Sequence, residues 1–227
     1  MKNLAIILGR KNSKRLKGKN LLKIGGKTLV ERAIDNAIKS KKFSKIIISS
    51  DDEKILNLKK KYNFIDFVKR KKNLSGSKVK VIQVVLNILK LNKDFQTATI
   101  LLPTCPLRRH TDIISAFKIF EKNYLNTISV SKYEFPPEFS IFKSGKLYTP
   151  GTASPLLKNK TRSQEFKKFL KPNGAIYIAT VKRLLKYKNF YNKKINVFEM
   201  PRERSIDIDN EIDYELAKIL FKKYDKK

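Results

Sequence analysis

The amino-acid sequence predicts a three-layer α/β domain built on a mainly parallel sheet. Short apolar runs alternate with amphipathic helical patterns along nearly the whole chain. Runs such as Ile46-Ile47-Ile48 are apolar without alternation, as expected of strands covered on both faces. The length agrees: 227 residues, 41% hydrophobic and 10% aromatic, suffice for one substantial core with a modest insertion.

The first strand is expected at 4–8, where Leu4-Ala5-Ile6-Ile7-Leu8 is uninterrupted, and it runs into a basic loop at 9–20. Helical spacing follows over 29–40, then a strand at 45–49, a helix over 52–62 and a strand at 64–68. The second half continues with helix 79–91, strand 99–102, helix 112–122 and strand 127–131, followed by strands 175–179 and 195–199. A last helix is expected over 211–223, where Ile212, Leu216, Ile219 and Leu220 recur at helical spacing with lysines on the outer face. The interval 135–171 breaks this rhythm with Pro136-Pro137, Ser144-Gly145 and Thr149-Pro150-Gly151, and has weak strand signals near 139–142 and 146–148. We expect a single domain over 1–227 with 135–171 as an inserted lobe or hairpin at a homodimer contact.

The formal charge of +32 suggests a polyanion binder at first sight. The basic set, however, is 42 Lys against 10 Arg, spread over nearly every segment. Readers of phosphates and bases favour the bidentate Arg fork, and no zinc-finger spacing, RNP-type aromatic motif or basic helix with heptads occurs. The charge therefore reads as a solvated surface, with no specific nucleic-acid partner. No apolar run approaches the ~20 residues of a membrane span, and the apolar stretch before Arg10 is short for a signal peptide. Cys105 is the only cysteine, which excludes an intrachain disulfide. These features lead us to expect a cytoplasmic protein without a membrane partner.

Two segments carry chemistry. Six of the twelve residues in Gly9-Arg10-Lys11-Asn12-Ser13-Lys14-Arg15-Leu16-Lys17-Gly18-Lys19-Asn20 are basic. They follow the carboxyl end of a strand, where an α/β sheet binds ligands. Backbone N–H groups, a serine hydroxyl and several cations suit a triphosphate, although the Walker spacing is absent. The second segment is Arg202-Glu203-Arg204-Ser205-Ile206-Asp207-Ile208-Asp209, just before the last helix. In an extended chain Asp207 and Asp209 face the same way, and Mg2+ takes one or two carboxylates together with phosphate oxygens and water. The alternative is that the two aspartates pair with Arg202 and Arg204 and cap the helix. His110, at a helix start, and Cys105, in a Pro-Thr-x-Pro turn, form no credible nucleophilic pair.

Five groups of residues follow one another along the chain: Arg10, Ser13, Lys14, Arg15, Lys19 and Asn20, then Gly25-Gly26-Lys27-Thr28-Leu29 and Ser49-Ser50-Asp51-Asp52, then Pro103-Thr104-Cys105-Pro106-Leu107-Arg108 and Pro172-Asn173-Gly174-Ala175-Ile176-Tyr177, before Arg202 through Asp209. In these residues and their order the chain resembles the acylneuraminate cytidylyltransferase family, which includes the CMP-sialic acid synthetases and their relatives for bacterial nine-carbon sugars. The resemblance implies a Rossmann-like nucleotidyltransferase fold and transfer of CMP from CTP to a 2-keto sugar acid of sialic, legionaminic or pseudaminic type. By similarity, Arg10, Lys19 and Asp209 are catalytic, and Arg10, Ser13, Lys19, Asn20 and Arg70 surround the nucleotide. Asp207 and Asp209 would hold Mg2+, while Arg162, Gln164, Lys171, Asn173, Tyr177, Phe190 and Tyr191 would meet the sugar.

The chain also departs from the family. Lys11-Asn12 replace a Gly-Gly pair, Leu102 stands where sialic-acid enzymes usually have Gln, and Ser77-Lys78-Val79-Lys80 replace an Asp-Thr-Ala-Ser-type stretch. Lys171 replaces Arg and Ser163 replaces the second Arg of an Arg-Arg-Gln stretch. These changes imply a divergent acceptor. The rival readings are another sugar nucleotidyltransferase such as a Kdo cytidylyltransferase, a catalytically silent binding protein, and a basic nucleic-acid-binding protein.

Overall fold

A computed structural model of the chain describes residues 1–13, 15–160, 162 and 169–224. Strand β1 (Asn3–Gly9) leads into the basic loop and then a small hairpin of β2 (Lys23–Ile24) and β3 (Lys27–Thr28). A Cβ on Gly25, at the turn of this hairpin with φ +57°, would lie 2.2 Å from the Phe221 ring, so glycine is needed there for space as well as conformation. Thr28 and Glu31 then form a reciprocal capping box that starts α1 (Leu29–Ser40). The first half continues with β4 (Lys45–Ser50), α2 (Glu53–Leu56), β5 (Asp66–Lys69), α3 (Val81–Lys90) and β6 (Thr97–Ile100). The second half comprises α4 (His110–Phe120), β7 (Thr127–Lys132), the hairpin β8 (Ile141–Ser144) and β9 (Leu147–Pro150), β10 (Leu170–Thr180), α5 (Val181–Tyr187), β11 (Asn196–Glu199) and α6 (Glu211–Tyr224).

Seven strands form one sheet in the order β11-β7-β10-β6-β1-β4-β5, parallel throughout except for β10, which runs antiparallel to both neighbours. Alternate residues of β1 feed opposite layers, as the two-residue period of a strand requires. Ala5 and Ile7 pack with Ile34, Phe117 and Phe120 of α1 and α4. Leu4 and Ile6 pack with Val85, Ile88 and Leu184 of α3 and α5. A third cluster of Ile24, Leu29, Ile208 and Ala217 anchors α6 beside the small hairpin, which sets the segment before α6 against the basic loop.

The expected strands in the large sheet are all present, with ends shifted by a few residues. The expected helix over 52–62 is shorter: α2 ends at Leu56 and continues as a 3-10 turn over Asn57–Lys60, which has no buried residue to hold a longer helix. Helix α5 was not anticipated; Thr180 caps it by accepting a bond from the Arg183 backbone N–H. The segment carrying Asp207 and Asp209 is not a ladder strand. Arg202–Arg204 form a 3-10 turn, and the extended chain after it is held by the Ile208 N–H donating to the Thr104 carbonyl at 2.8 Å. Ile208 is fully buried while both aspartates keep access to solvent, the alternation expected of an extended chain. Within 135–171, the β8–β9 hairpin leaves Ile141, Phe142, Leu147 and Tyr148 all more than half exposed.

Candidate active site

The basic loop folds back over the carboxyl ends of β1 and β4. Asn20, only 7% exposed, donates from Nδ2 to the Arg10 carbonyl at 2.9 Å, and the Lys11 N–H donates to Asp51 at 2.9 Å. Gly18, at φ 63°, starts a 3-10 turn over Lys19–Leu21 that aims Lys19 inward. Lys19 Nζ donates to the Ile208 carbonyl at 2.5 Å and to Asp209 Oδ1 at 3.0 Å. The other Asp209 oxygen meets Arg15 Nη2 at 2.8 Å. The loop after the first strand and the carboxylates before the last helix therefore form one site, although Lys19 and Asp209 are 190 residues apart in the chain.

The alternative pairing of the two aspartates with their neighbouring arginines does not occur. Arg202 pairs with Glu134 at 2.5 Å, and Arg204 forms an ion pair with the buried Asp112. Asp207 lies between the turn at Thr104-Cys105 and the bulge of β10. A Cβ on Gly174 would come within 3.2 Å of Asp207 Oδ2 and 3.3 Å of Cys105 Sγ, and Gly174 has φ +78°, so a side chain there would be strained in backbone and would crowd the carboxylate. Burial pushes the Asp207 carboxyl above its ordinary value, the Thr104 hydroxyl bonded to it opposes this, and the negative charge of Asp209 adds to it. The same carboxylate lines a cleft, so its surroundings are protein on one side and open on the other. A crowded carboxylate beside a second one is a donor set that a divalent cation would relieve of repulsion, and Mg2+ completes its shell with phosphate oxygens and water. Among the described residues no group of three or more His, Cys, Asp or Glu has the arrangement of a metal site made by protein alone.

Two cavities flank this centre. One, of about 340 Å³, is lined by Arg10, Ser13, Lys19, Asn20 and Arg70, with Leu102, Val81 and Val84 on its apolar side. Arg70 is buried and donates to the Ser49 carbonyl at 2.6 Å, which holds its guanidinium at the end of β4. The five residues predicted for the nucleotide are thus brought together. The second cavity, of about 580 Å³, is lined by Lys171, Asn173, Arg202, Ser205 and Asp207.

The residues predicted for the sugar are divided. Lys171 is exposed in the second cavity, with its Nζ 5.8 Å from the centre of the Tyr133 ring. Asn173 also reaches that cavity but is 4% exposed. Its Oδ1 accepts from Ser129 Oγ and the Ala175 N–H, and its Nδ2 donates to Ser205 Oγ, so it serves as framework. Tyr177 packs against Phe190 at a tilt and meets Tyr191 edge to face, with ring centres 5.4 and 6.4 Å away. Phe190 is 6% exposed in the core cluster that Tyr177 and Leu102 also join, whereas Tyr191 is 46% exposed. Arg162 is exposed, and Gln164 lies outside the described residues.

Sequence reasoning missed two supports. Thr104 holds Asp207, for which the Pro-Thr-x-Pro turn was the available signal. Arg108, fully buried, clamps the same turn by donating to the carbonyls of Leu102 at 3.1 Å and Ala175 at 2.6 Å. Burial lowers its guanidinium to about 10.

A mainly parallel α/β sheet whose cation-rich first loop closes on Asp209 has the layout of a nucleotide-binding domain. Comparison with known proteins narrows the class. The family model described as cytidylyltransferase matches residues 4–225, and the chain belongs to that family. It is 33% identical over 229 residues to the pseudaminic acid cytidylyltransferase of Campylobacter jejuni subsp. jejuni serotype O:2, covering 98% of this chain and 97% of that protein. It is 30% identical to the CMP-N,N'-diacetyllegionaminic acid synthase of Legionella pneumophila, covering 97% of this chain and 96% of that protein. The N-acylneuraminate cytidylyltransferase of Escherichia coli O18:K1:H7 is 31% identical over 95% of this chain, which spans about half (51%) of that longer relative. In fold, the chain superimposes on a CMP:2-keto-3-deoxy-manno-octonic acid synthetase solved with CTP, with a TM-score of 0.71 at 15% identity, covering 98% of this chain and 99% of that one.

Proposed function

We propose that the chain transfers CMP from CTP to a nine-carbon 2-keto sugar acid and releases pyrophosphate. The observation that carries this reading is the Lys19 bridge to Asp209, which brings the cationic loop and the carboxylate pair together inside a cytidylyltransferase. The anomeric hydroxyl of the acceptor attacks the α-phosphorus, the bond to the β-phosphate breaks, and pyrophosphate leaves. Arg10 and Lys19 neutralise charge on the transferring and leaving phosphates, Ser13 and Asn20 hold the loop around the triphosphate, and Arg70 closes the nucleotide cavity. Mg2+, held by Asp207 and Asp209, would supply charge neutralisation on the phosphates and favour the ionised acceptor hydroxyl.

The acceptor proposed is a 9-deoxy or diacetamido nonulosonate of pseudaminic or legionaminic type. Leu102, expected at the sugar, lies instead with Val81 and Val84 on the apolar side of the cavity assigned to the nucleotide, so the choice of acceptor does not rest on it. The relatives named for pseudaminic and diacetyllegionaminic acids match along nearly their whole length, which supports the choice. Lys171, exposed in the adjoining cavity, is the cation proposed for the acceptor carboxylate. Competition assays with CTP should give pseudaminic or legionaminic acid the highest kcat/KM; N-acylneuraminate as the best acceptor would overturn the assignment.

The working form proposed is a cytoplasmic homodimer. An isolated two-stranded hairpin is marginally stable in water, and β8–β9 exposes Ile141, Phe142, Leu147 and Tyr148 together. A second copy of the chain would cover them. Sedimentation equilibrium should report a dimer that Phe142→Asp with Leu147→Asp converts to monomer; a wild-type monomer at micromolar concentration would refute it.

A further inference from the structure

The two cations on Asp209 are not equivalent. Lys19 is 11% exposed at its side chain and has a second acceptor in the Ile208 carbonyl, so it keeps a partner if Asp209 is taken away. Arg15 is 69% exposed at its side chain, and Asp209 is the carboxylate it meets. With both cations in place, each Asp209 oxygen is already engaged, at 2.8 Å by Arg15 and at 3.0 Å by Lys19. A divalent cation approaching Asp209 would compete with a guanidinium for the same oxygen. An exposed ion pair is weakly held, and a guanidinium fork suits two phosphate oxygens at least as well as one carboxylate oxygen.

We propose that Arg15 gates the carboxylate site: it occupies Asp209 while no nucleotide is bound, moves to a phosphate of the incoming triphosphate, and so uncovers Asp209 for a divalent cation. The proposal rests on the reading of Asp207 and Asp209 as the cation site. It makes cation binding and triphosphate binding mutually dependent through one side chain, and such coupling is reciprocal. A cation would then bind more weakly ahead of its nucleotide than with it, and the positive charge displaced from Asp209 would be delivered where the leaving group needs it.

Mn2+ is the probe, with free Mn2+ followed by electron paramagnetic resonance without acceptor, so that no turnover occurs. Removing an exposed ion pair worth up to ~1 kcal/mol should let Arg15→Gln bind Mn2+ alone about fivefold more tightly than wild type. Loss of a charge-assisted contact to phosphate should weaken CTP binding, measured by calorimetry, about tenfold. Unchanged Mn2+ affinity in nucleotide-free Arg15→Gln, or unchanged CTP affinity, would overturn the gate. Adding Asp209→Asn to Arg15→Gln separates the two readings. Loss of the tightened Mn2+ binding places the cation at Asp209. Retention of the tightened binding in the double variant would overturn the cation site and the gate together, whereas a failure confined to Arg15→Gln would overturn the gate alone.

Discussion

Replacing Lys19 by Met removes a cation while keeping most of the apolar stem. The structure assigns two bonds to this ammonium, one to the Ile208 carbonyl and one to Asp209. Hydrogen bonds from a charged group are worth ~1.5–3 kcal/mol each when the partner is left unsatisfied, but Asp209 stays accessible and keeps Arg15. The stability cost is therefore carried mainly by the Ile208 carbonyl, about 2 kcal/mol, or about 4–8 °C in Tm for a chain of this size. The catalytic cost is larger, because removing one preorganised donor from developing charge costs about 10²–10³ in kcat. Lys17, exposed in the same loop, is the control: Lys17→Met should leave both quantities near wild type apart from salt sensitivity. The assays are thermal unfolding and pyrophosphate release at saturating CTP and acceptor. Equal losses of turnover in Lys17→Met and Lys19→Met would show that the loop acts as a diffuse field, and the reasoning from its geometry would fail.

Other perturbations probe separate parts of the structure. Asp207→Asn and Asp209→Asn should each lower turnover by about a hundredfold, ~3 kcal/mol of barrier, with far-ultraviolet circular dichroism unchanged; full activity in EDTA would contradict the cation role. Arg108→Met leaves the buried carbonyls of Leu102 and Ala175 without their guanidinium, so unfolding should be easier by about 2–5 kcal/mol in urea titration. Glu31 is held down to about 2: desolvation opposes this, but its bonds to Lys61 and Thr28 outweigh it. Its contribution to stability is therefore present above its unfolded value near 4.5 and is lost as pH falls toward 2, so Glu31→Gln should flatten the acid limb of a stability–pH profile in that window. Duplex DNA should bind only weakly, at about 10⁻⁴–10⁻⁶ M, with affinity falling steeply as salt rises in fluorescence anisotropy.

The inner strands were legible as short runs buried on both faces, β1 most clearly, whereas the edge strands β5 and β11 are largely exposed and owe their legibility to the α/β rhythm around them. Their order was not legible, since nothing local says that β10 inserts antiparallel between β6 and β7. Helix α5 went unseen because its seven residues give too few turns for a periodic stripe. In the site, Arg10 and Lys19 could be named from the loop after the first strand, the aspartate pair from its spacing just before the last helix, and all four from family resemblance. The role of Arg15 and the support from Thr104 depend on contacts between segments far apart in sequence, which no local pattern encodes. Phe190 shows the limit in the other direction: next to an exposed Tyr191 it looked equally suited to the sugar, and the fold buries it under Tyr177.

Pyrophosphate release by the purified chain, supplied with CTP, Mg2+ and a panel of pseudaminic, legionaminic, N-acetylneuraminic and Kdo acids, probes the proposed reaction most directly. Turnover should require CTP and a nine-carbon acid, with pseudaminic or legionaminic acid used best and Kdo poorly. No release with any nine-carbon acid, or equal use of CTP and ATP, would contradict it.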